Sequence, residues 1–267
     1  MDRTVLLWDV RTPPFQKIVK IQLINKSKDR ECVASVEWHP DGSLLAIAEK
    51  DNQVHIYDVR KTLSSYNKPP TRHSNTRPPN TLSKPVRTFN LKPDILNECH
   101  FSPAGQHMVA ATKTLNSMGT LQIWPSYTSE MKTITTLVGH TGPIYCLKFS
   151  PCKRFLATGG FDALVGLWDT SEMVCTATIS RMTKFIRSVS FSHDSNLLAV
   201  SNEERWIDIA NAQTGEEVGR IEAINGADEL AWHPKSYALA YASGSLSEKT
   251  RDRVPHVAVV KISVHES

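Results

Sequence analysis

Gly139-His140, followed by Ala157-Thr158-Gly159-Gly160-Phe161-Asp162-Ala163-Leu164-Val165-Gly166-Leu167-Trp168-Asp169, is the stretch that decides how this chain folds. Just before its second part stands Phe149-Ser150-Pro151-Cys152-Lys153, which reads as a strand end and a tight turn, with Pro fixing φ. Phe155-Leu156-Ala157-Thr158 is a short apolar strand. Asp162 marks a second, acidic turn, and Val165 to Trp168 alternate as a strand does.

The same unit recurs along the chain. Glu37-Trp38-His39-Pro40-Asp41-Gly42 opens a segment ending at Ile56-Tyr57-Asp58, and Phe101-Ser102-Pro103-Ala104-Gly105 opens one ending at Ile123-Trp124. Phe191-Ser192-His193-Asp194-Ser195 leads to Ile207-Asp208-Ile209-Ala210, and Trp232-His233-Pro234-Lys235 leads to Val257 through Ile262. Three of these carry a short apolar run: Leu44 to Ile47, Leu197 to Val200, Ala238 to Tyr241. Trp124 to Trp168 is 44 residues and Trp168 to Ala210 is 42. A period of roughly 40–45 residues, with four strands and a Trp-Asp ending, is the signature of an all-β, WD-repeat β-propeller. One such domain is expected over residues 1–267. The longer gap from Tyr57 to Trp124 is explained by an insertion at about 62–85 and a smaller one from Thr114 to Met118. Ser243 to Pro255 reads as a long loop inside the last repeat.

In a WD repeat, His140, Thr158, Asp162 and Trp168 are expected to form a structural tetrad, a hydrogen-bond chain from Trp through Thr and His to Asp. An acid–base pair of His140 and Asp162 is the alternative, disfavoured because the whole repeat frame surrounds them. Other repeats are degraded: Ile47 stands in the Ser/Thr position, and Tyr57 and Ala210 replace Trp. These are expected to rely on apolar packing alone. Asp2 and Trp8 share the spacing of Asp162 and Trp168, so the expected order is one isolated strand, Thr4 to Trp8, then five full four-stranded blades. That count suggests an N-terminally shortened member of a seven-bladed ring, with a smaller ring as the alternative.

Composition narrows the function classes. A net charge of +4 over 267 residues is mildly basic and demands no acidic partner. Five cysteines, Cys32, Cys99, Cys146, Cys152 and Cys175, are odd in number and lack Cys-x-x-Cys spacing, which argues against a disulfide framework or zinc site. The first ten residues carry Asp2, Arg3 and Asp9 and do not resemble a signal peptide, and no run of about 18 apolar residues predicts a membrane span. His39, His100, His193 and His233 sit at or beside equivalent repeat positions rather than in a metal-binding pattern. No nucleophile elbow or phosphate loop occurs, and nothing in the spacing singles out Asp208 or Glu203 as catalytic carboxylates. No enzyme, cofactor, metal or small-molecule substrate is expected.

The run Ala157 to Asp169, with Glu172-Met173-Val174-Cys175, Ile186 to Asp194, Trp206-Ile207-Asp208-Ile209-Ala210, Thr214-Gly215-Glu216 and Ala231-Trp232-His233-Pro234-Lys235, resembles the THO complex subunit 3 family. The Ile-Asp-Ile-Ala strand ending is the most telling part. The resemblance extends over about residues 137–262 and weakens before them; Trp206 stands where Phe would be expected. It implies a nuclear, non-catalytic scaffold subunit whose partners are other subunits of a THO-type transcription–export complex, acting in mRNA packaging and export. A generic WD adaptor in a ubiquitin ligase or chromatin complex is the alternative.

From Val59 to Pro93 there are eight Lys/Arg and no Asp or Glu, and Pro69-Pro70 and Pro78-Pro79 break regular structure. A disordered loop is expected at about 62–85. Two readings stay open: RNA-phosphate contacts through Lys68, Arg72, Arg77 and Lys84, or a merely solvated insertion. Tyr66 is the loop's one aromatic, so a base-stacking platform is not evident. The Arg181–Phe185 and Ile224–Ala227 turns are candidate partner-contacting regions.

Overall fold

The computed structural model describes residues 4–9, 16–22, 33–49, 52–60, 80–82, 84–127, 135–223, 226–243 and 256–262. Every regular element among them is a strand. The chain divides into two compact units, Met1–Lys92 and Pro93–Ser267.

The first unit holds two sheets. One joins β1 (Thr4–Asp9), β2 (Gln16–Gln22) and β6 (Asn80–Leu82) in that order. The other joins β3 (Val33–Trp38), β4 (Leu44–Glu49), β5 (Gln53–Asp58) and β7 (Arg87–Asn90). Leu7, Val19, Ile21, Leu45, Ile47, Tyr57 and Val59 form the buried apolar cluster of this unit.

The second unit holds four sheets in which strands follow chain order. They comprise β8 (Ile95–Phe101) through β11 (Thr135–His140), with β9 at His107–Lys113 and β10 at Gly119–Pro125. Next come β12 (Ile144–Phe149), β13 (Phe155–Gly160), β14 (Val165–Asp169) and β15 (Val174–Ile179). Then follow β16 (Ser188–Phe191), β17 (Leu197–Ser201), β18 (Trp206–Asn211) and β19 (Glu217–Glu222), and finally β20 (Glu229–Trp232), β21 (Ala238–Ser243) and β22 (His256–Lys261). Each sheet is an antiparallel meander. Its first strand lies beside the first strand of the next sheet.

The repeat works through one turn geometry. In the turns after β3, β8, β12 and β16, the fourth residue has positive φ: Gly42 (71°), Gly105 (72°), Lys153 (69°) and Ser195 (66°). Its amide donates to the carbonyl three residues back, at 2.7–2.9 Å from His39, Ser102, Ser150 and Ser192 respectively. Glycine adopts this conformation without steric cost; Lys153 and Ser195 adopt it because the hairpin closes around them. In the second unit β13 and β17 lie between neighbouring sheets and are buried at every position, and in the first unit β4 is likewise buried throughout. That burial is why their sequences are continuous apolar runs rather than alternating ones. Full burial of a side chain such as Leu156 or Leu198 contributes about 1.5–3 kcal/mol. The fourth strands β15 and β19 lie at the sheet edges and are largely exposed, which accounts for their polar alternation.

The expected strand count is corrected at both ends. Thr4 to Trp8 is not isolated: β1 pairs antiparallel with β2, and β2 pairs in parallel with β6. An unpaired strand would leave its backbone donors and acceptors open, and β2 satisfies them while burying Val19 and Ile21. Among the described residues four sheets have four strands and two have three, where five full blades were expected. The insertion at 62–85 is also not loop throughout, because Asn80–Leu82 is strand.

Candidate functional site

The β12–β15 blade carries a continuous polar chain. Trp168 Nε1 donates to Thr158 Oγ1 at 2.9 Å, and Thr158 Oγ1 lies 2.8 Å from His140 Nε2. His140 Nδ1 lies 2.9 Å from Asp162 Oδ1, and Thr141 N donates to Asp162 Oδ2 at 3.0 Å. Because Nδ1 faces a carboxylate, it is the protonated ring nitrogen, and Nε2 accepts from the Thr158 hydroxyl. Every polar group in the chain is then satisfied once. The side chains of His140, Thr158 and Trp168 are buried. The arrangement can hold the entering connection to the second and third strands of its blade.

Three glycines make space for this chain. A Cβ at Gly166 would stand 2.9 Å from both Thr158 Oγ1 and Trp168 Nε1, and one at Gly160 would stand 2.5 Å from His140 Nδ1 and Asp162 Oδ1. At Gly139 it would meet the Trp168 ring at 2.6 Å. In the sequence Gly139 directly precedes His140, and Gly160 and Gly166 stand two positions before Asp162 and Trp168.

The degraded blades do not rely on apolar packing alone, as expected from sequence. The register that sets Thr158 opposite Gly166 sets Val200 opposite Asp208, and Asp208 is fully buried. Arg181, from the connection after β15, grips it: Nε donates to Oδ1 at 2.8 Å, Nη2 to Oδ2, and Nη1 to the Gly215 carbonyl at 2.7 Å. In the preceding blade Gln122 holds the same register position and donates to Asp94 at 2.6 Å. In the first unit it is His55, 2.8 Å from Thr88 Oγ1 and 3.4 Å from Glu49. A buried polar group at the centre of the third strand must be satisfied, and each of these is reached by a polar side chain from elsewhere in its own unit. Tyr57, in the Trp position, is buried, and its hydroxyl has no hydrogen-bond partner among the described residues.

Two further groupings were not foreseen. Along the innermost strands Glu98 accepts from Leu147 N at 2.8 Å and from Lys148 Nζ at 3.2 Å, and lies 3.0 Å from His100. Burial pushes the Glu98 carboxyl up, but His100, Lys148 and the Leu147 amide outweigh it and hold it below its ordinary value. Glu229 goes the other way, raised by partial burial and by the like charge of Glu98 against the pull of Lys148. At the end of the blade where β11 enters, three rings cluster: Phe161 stacks on Phe185 at 6.0 Å, and Tyr145 meets both edge-on at 6.3 and 5.7 Å. Phe161 is 56% exposed and Tyr145 37%, an unusual concentration of open aromatic surface. Arg187 lies over Phe185 at 4.4 Å and donates to Glu203 at 2.6 Å. The candidate turn at 181–185 thus splits: Arg181 is anchored inward and Phe185 joins the open rings.

Of the basic residues in the insertion, Lys84 is exposed, while Lys68, Arg72 and Arg77 lie outside the described residues. Residues 224–225 of the other candidate turn do also. Among the described residues no group of three His, Cys, Asp or Glu is arranged to hold a metal ion.

Repeated antiparallel blades, a shared turn geometry and a Trp–Thr–His–Asp chain define a WD-repeat β-propeller. Residues 131–169 match the family model "WD domain, G-beta repeat", and residues 6–74 match "Anaphase-promoting complex subunit 4 WD40 domain". The chain is 31% identical over 93% of its length to THO complex subunit 3 of Arabidopsis thaliana, of which it covers 67%. It is 30% identical over 94% of its length to WD repeat-containing protein AAC3 of Dictyostelium discoideum, covering 46% of that protein. Protein TEX1 of Saccharomyces cerevisiae is 22% identical over 79% of the chain, which spans 45% of it. A solved structure of the mitotic checkpoint complex contains a chain of the same fold, with TM-score 0.73, 20% identity, and 98% of this chain and 68% of that one covered. The chain belongs to the THO complex subunit 3 family.

Proposed function

We propose that this protein is a non-catalytic scaffold subunit of a THO-type complex acting in mRNA packaging and nuclear mRNA export, and that it resides in the nucleus. The observation that carries this reading is the 31% identity to THO complex subunit 3 across 93% of the chain. The geometry agrees with scaffolding: His140 and Asp162 are spent on each other and on the blade, while Tyr145 and Phe161 are exposed with Phe185 half-buried beside them. Open aromatic side chains are the commonest energetic anchors of protein interfaces. The tetrad's role in this proposal is to hold the loops that carry those rings. RNA is reached through partner subunits, or through Lys84 and the basic segment that includes Lys68, Arg72 and Arg77.

Affinity purification from nuclear extract tests it. Co-purification of THO subunits, lost in the Phe161→Ala, Tyr145→Ala double variant, is the expected result. Recovery of ubiquitin-ligase or histone-modifying subunits instead would overturn the reading in favour of another WD adaptor.

A further inference from the structure

Charge divides along the boundary between the two compact units. Residues 1–92 hold 16 Lys/Arg against nine Asp/Glu, a balance of +7, which leaves 15 against 18, or −3, for residues 93–267. The overall +4 thus combines a basic first unit with a mildly acidic second one. Charge asymmetry between parts of one chain points to contact with a polyanion.

The fold sorts the first unit's charges further. The sheet orders β1-β2-β6 and β3-β4-β5-β7 make β6 and β7 the outer edges of both its sheets. Lys84 and Lys92 flank β7 and are exposed, Arg87 lies on it half-buried, and Val59 to Pro93 contains no Asp or Glu. Lys20, on β2, stands in register with Thr81 of β6. Among the described residues no strand pairs with the outer side of β6 or β7, so this edge also offers backbone N–H groups. The unit's carboxylates lie elsewhere or are engaged. Asp9 and Glu37 are on β1 and β3, at the opposite edges of the two sheets. Asp58 accepts from Arg60 at 2.8 Å, Asp41 from the Ser43 amide at 2.8 Å, and Glu49 is buried 3.4 Å from His55. Asp2-Arg3, Lys28-Asp29-Arg30-Glu31 and Lys50-Asp51 are each neutral in themselves. Asp94, just beyond the edge, accepts from Gln122 at 2.6 Å.

The chemistry favours a phosphate chain over an acidic protein. Protein interfaces are anchored by large apolar and aromatic side chains. From Lys84 to Lys92 only Val86 is an exposed large hydrophobic, while Phe89 and Leu91 are buried. A phosphate backbone needs only cations and N–H donors, which this edge presents. We infer that the edge formed by β6 and β7 binds the phosphate backbone of RNA without reading its sequence. The choice of RNA among phosphate chains rests on the mRNA-export reading above; the charge argument does not.

Fluorescence anisotropy of the full chain with a labelled oligouridylate of about 20 nucleotides tests it. Three cations on phosphates give a slope of log affinity against log salt of about −2, so affinity should fall at least about twentyfold from 50 to 200 mM salt. Lys84→Gln, Arg87→Gln and Lys92→Gln together should weaken binding at least about tenfold at 50 mM salt and flatten the slope by about 2. The same loss of charge in the second unit, through Lys153→Gln, Lys184→Gln and Lys235→Gln, should change it less than about twofold. Equal denaturation midpoints verify folding, and the pair Lys84→Glu, Lys92→Glu replaces the first variant if it fails that check. Polyglutamate of equal length should bind at least about tenfold more weakly, and oligothymidylate no more tightly than the RNA. No binding below about 100 µM, a first-unit variant no weaker than the second-unit control, or equal binding of polyglutamate would overturn the inference. A tenfold preference for the DNA would overturn the assignment to RNA. Co-purification of THO subunits does not depend on any of these outcomes, so the two readings fail separately.

Discussion

Replacing Thr158 by Val removes one oxygen and leaves the shape almost unchanged. That oxygen accepts from Trp168 Nε1 at 2.9 Å and lies 2.8 Å from His140 Nε2, with the Thr158 side chain fully buried. The variant therefore strands one buried donor and one buried acceptor with no route to water. Each stranded group costs about 1–3 kcal/mol, so the sum is about 2–6 kcal/mol. For a protein of this size the thermal midpoint should fall by about 4–24 °C. Thr158→Ser keeps the hydroxyl and loses a methyl group, at about 1 kcal/mol. Urea denaturation followed by tryptophan fluorescence separates the two, and Trp168 itself reports on the site. A Val variant as stable as the Ser variant would refute the claim that the chain of hydrogen bonds stabilises this blade.

Arg181→Met should cost about 3–5 kcal/mol by leaving the Asp208 carboxylate buried and unpaired, and adding Asp208→Leu should restore much of it, as measured by a double-mutant cycle in urea. Tyr57→Phe should be neutral or stabilising by up to about 1 kcal/mol, because the hydroxyl is buried without a partner and its pKa is pushed up to about 12 by burial and Glu49; a loss above about 1 kcal/mol would show a missed partner. Asp194 is held at about 2, below its ordinary 3.8, by Ser192, Tyr237 and Asn196 acting against the effect of burial. A depressed carboxyl stabilises above its ordinary value, so the advantage of wild type over Asp194→Asn should persist at pH 6 and shrink as pH falls from about 4 to 2; denaturation midpoints across that window check it.

The blade architecture was legible because two local signals recur together. The tight turns need a residue that tolerates positive φ, and fully buried second strands need unbroken apolar runs such as Leu197 to Val200. The tetrad residues were legible for the same reason, since Trp168, Thr158 and Asp162 fall at fixed offsets within one hairpin. What could not be read was long-range pairing. Nothing near Asn80–Leu82 in sequence announces that it lies parallel to Val19–Ile21, because a three-residue strand has no period to detect. The Arg181–Asp208 and Asp94–Gln122 pairs are separated by 27 and 28 residues and belong to no repeated pattern. The aromatic cluster likewise assembles from one strand, β12, and two connections, each with a single ring that alone looks ordinary.

The register position shared by Gly166 and Asp208 admits two solutions that exclude each other. Converting one blade into the other takes Val200→Thr, Asp208→Gly and Ala210→Trp together with release of Arg181. Any single step passes through a trapped charge or a collision, since even a Cβ at the Gly166 site meets Thr158 Oγ1 and Trp168 Nε1 at 2.9 Å. A residue that fits this register position in one blade would therefore trap a charge or collide in its neighbour, and a consensus averaged over the two blades would describe neither.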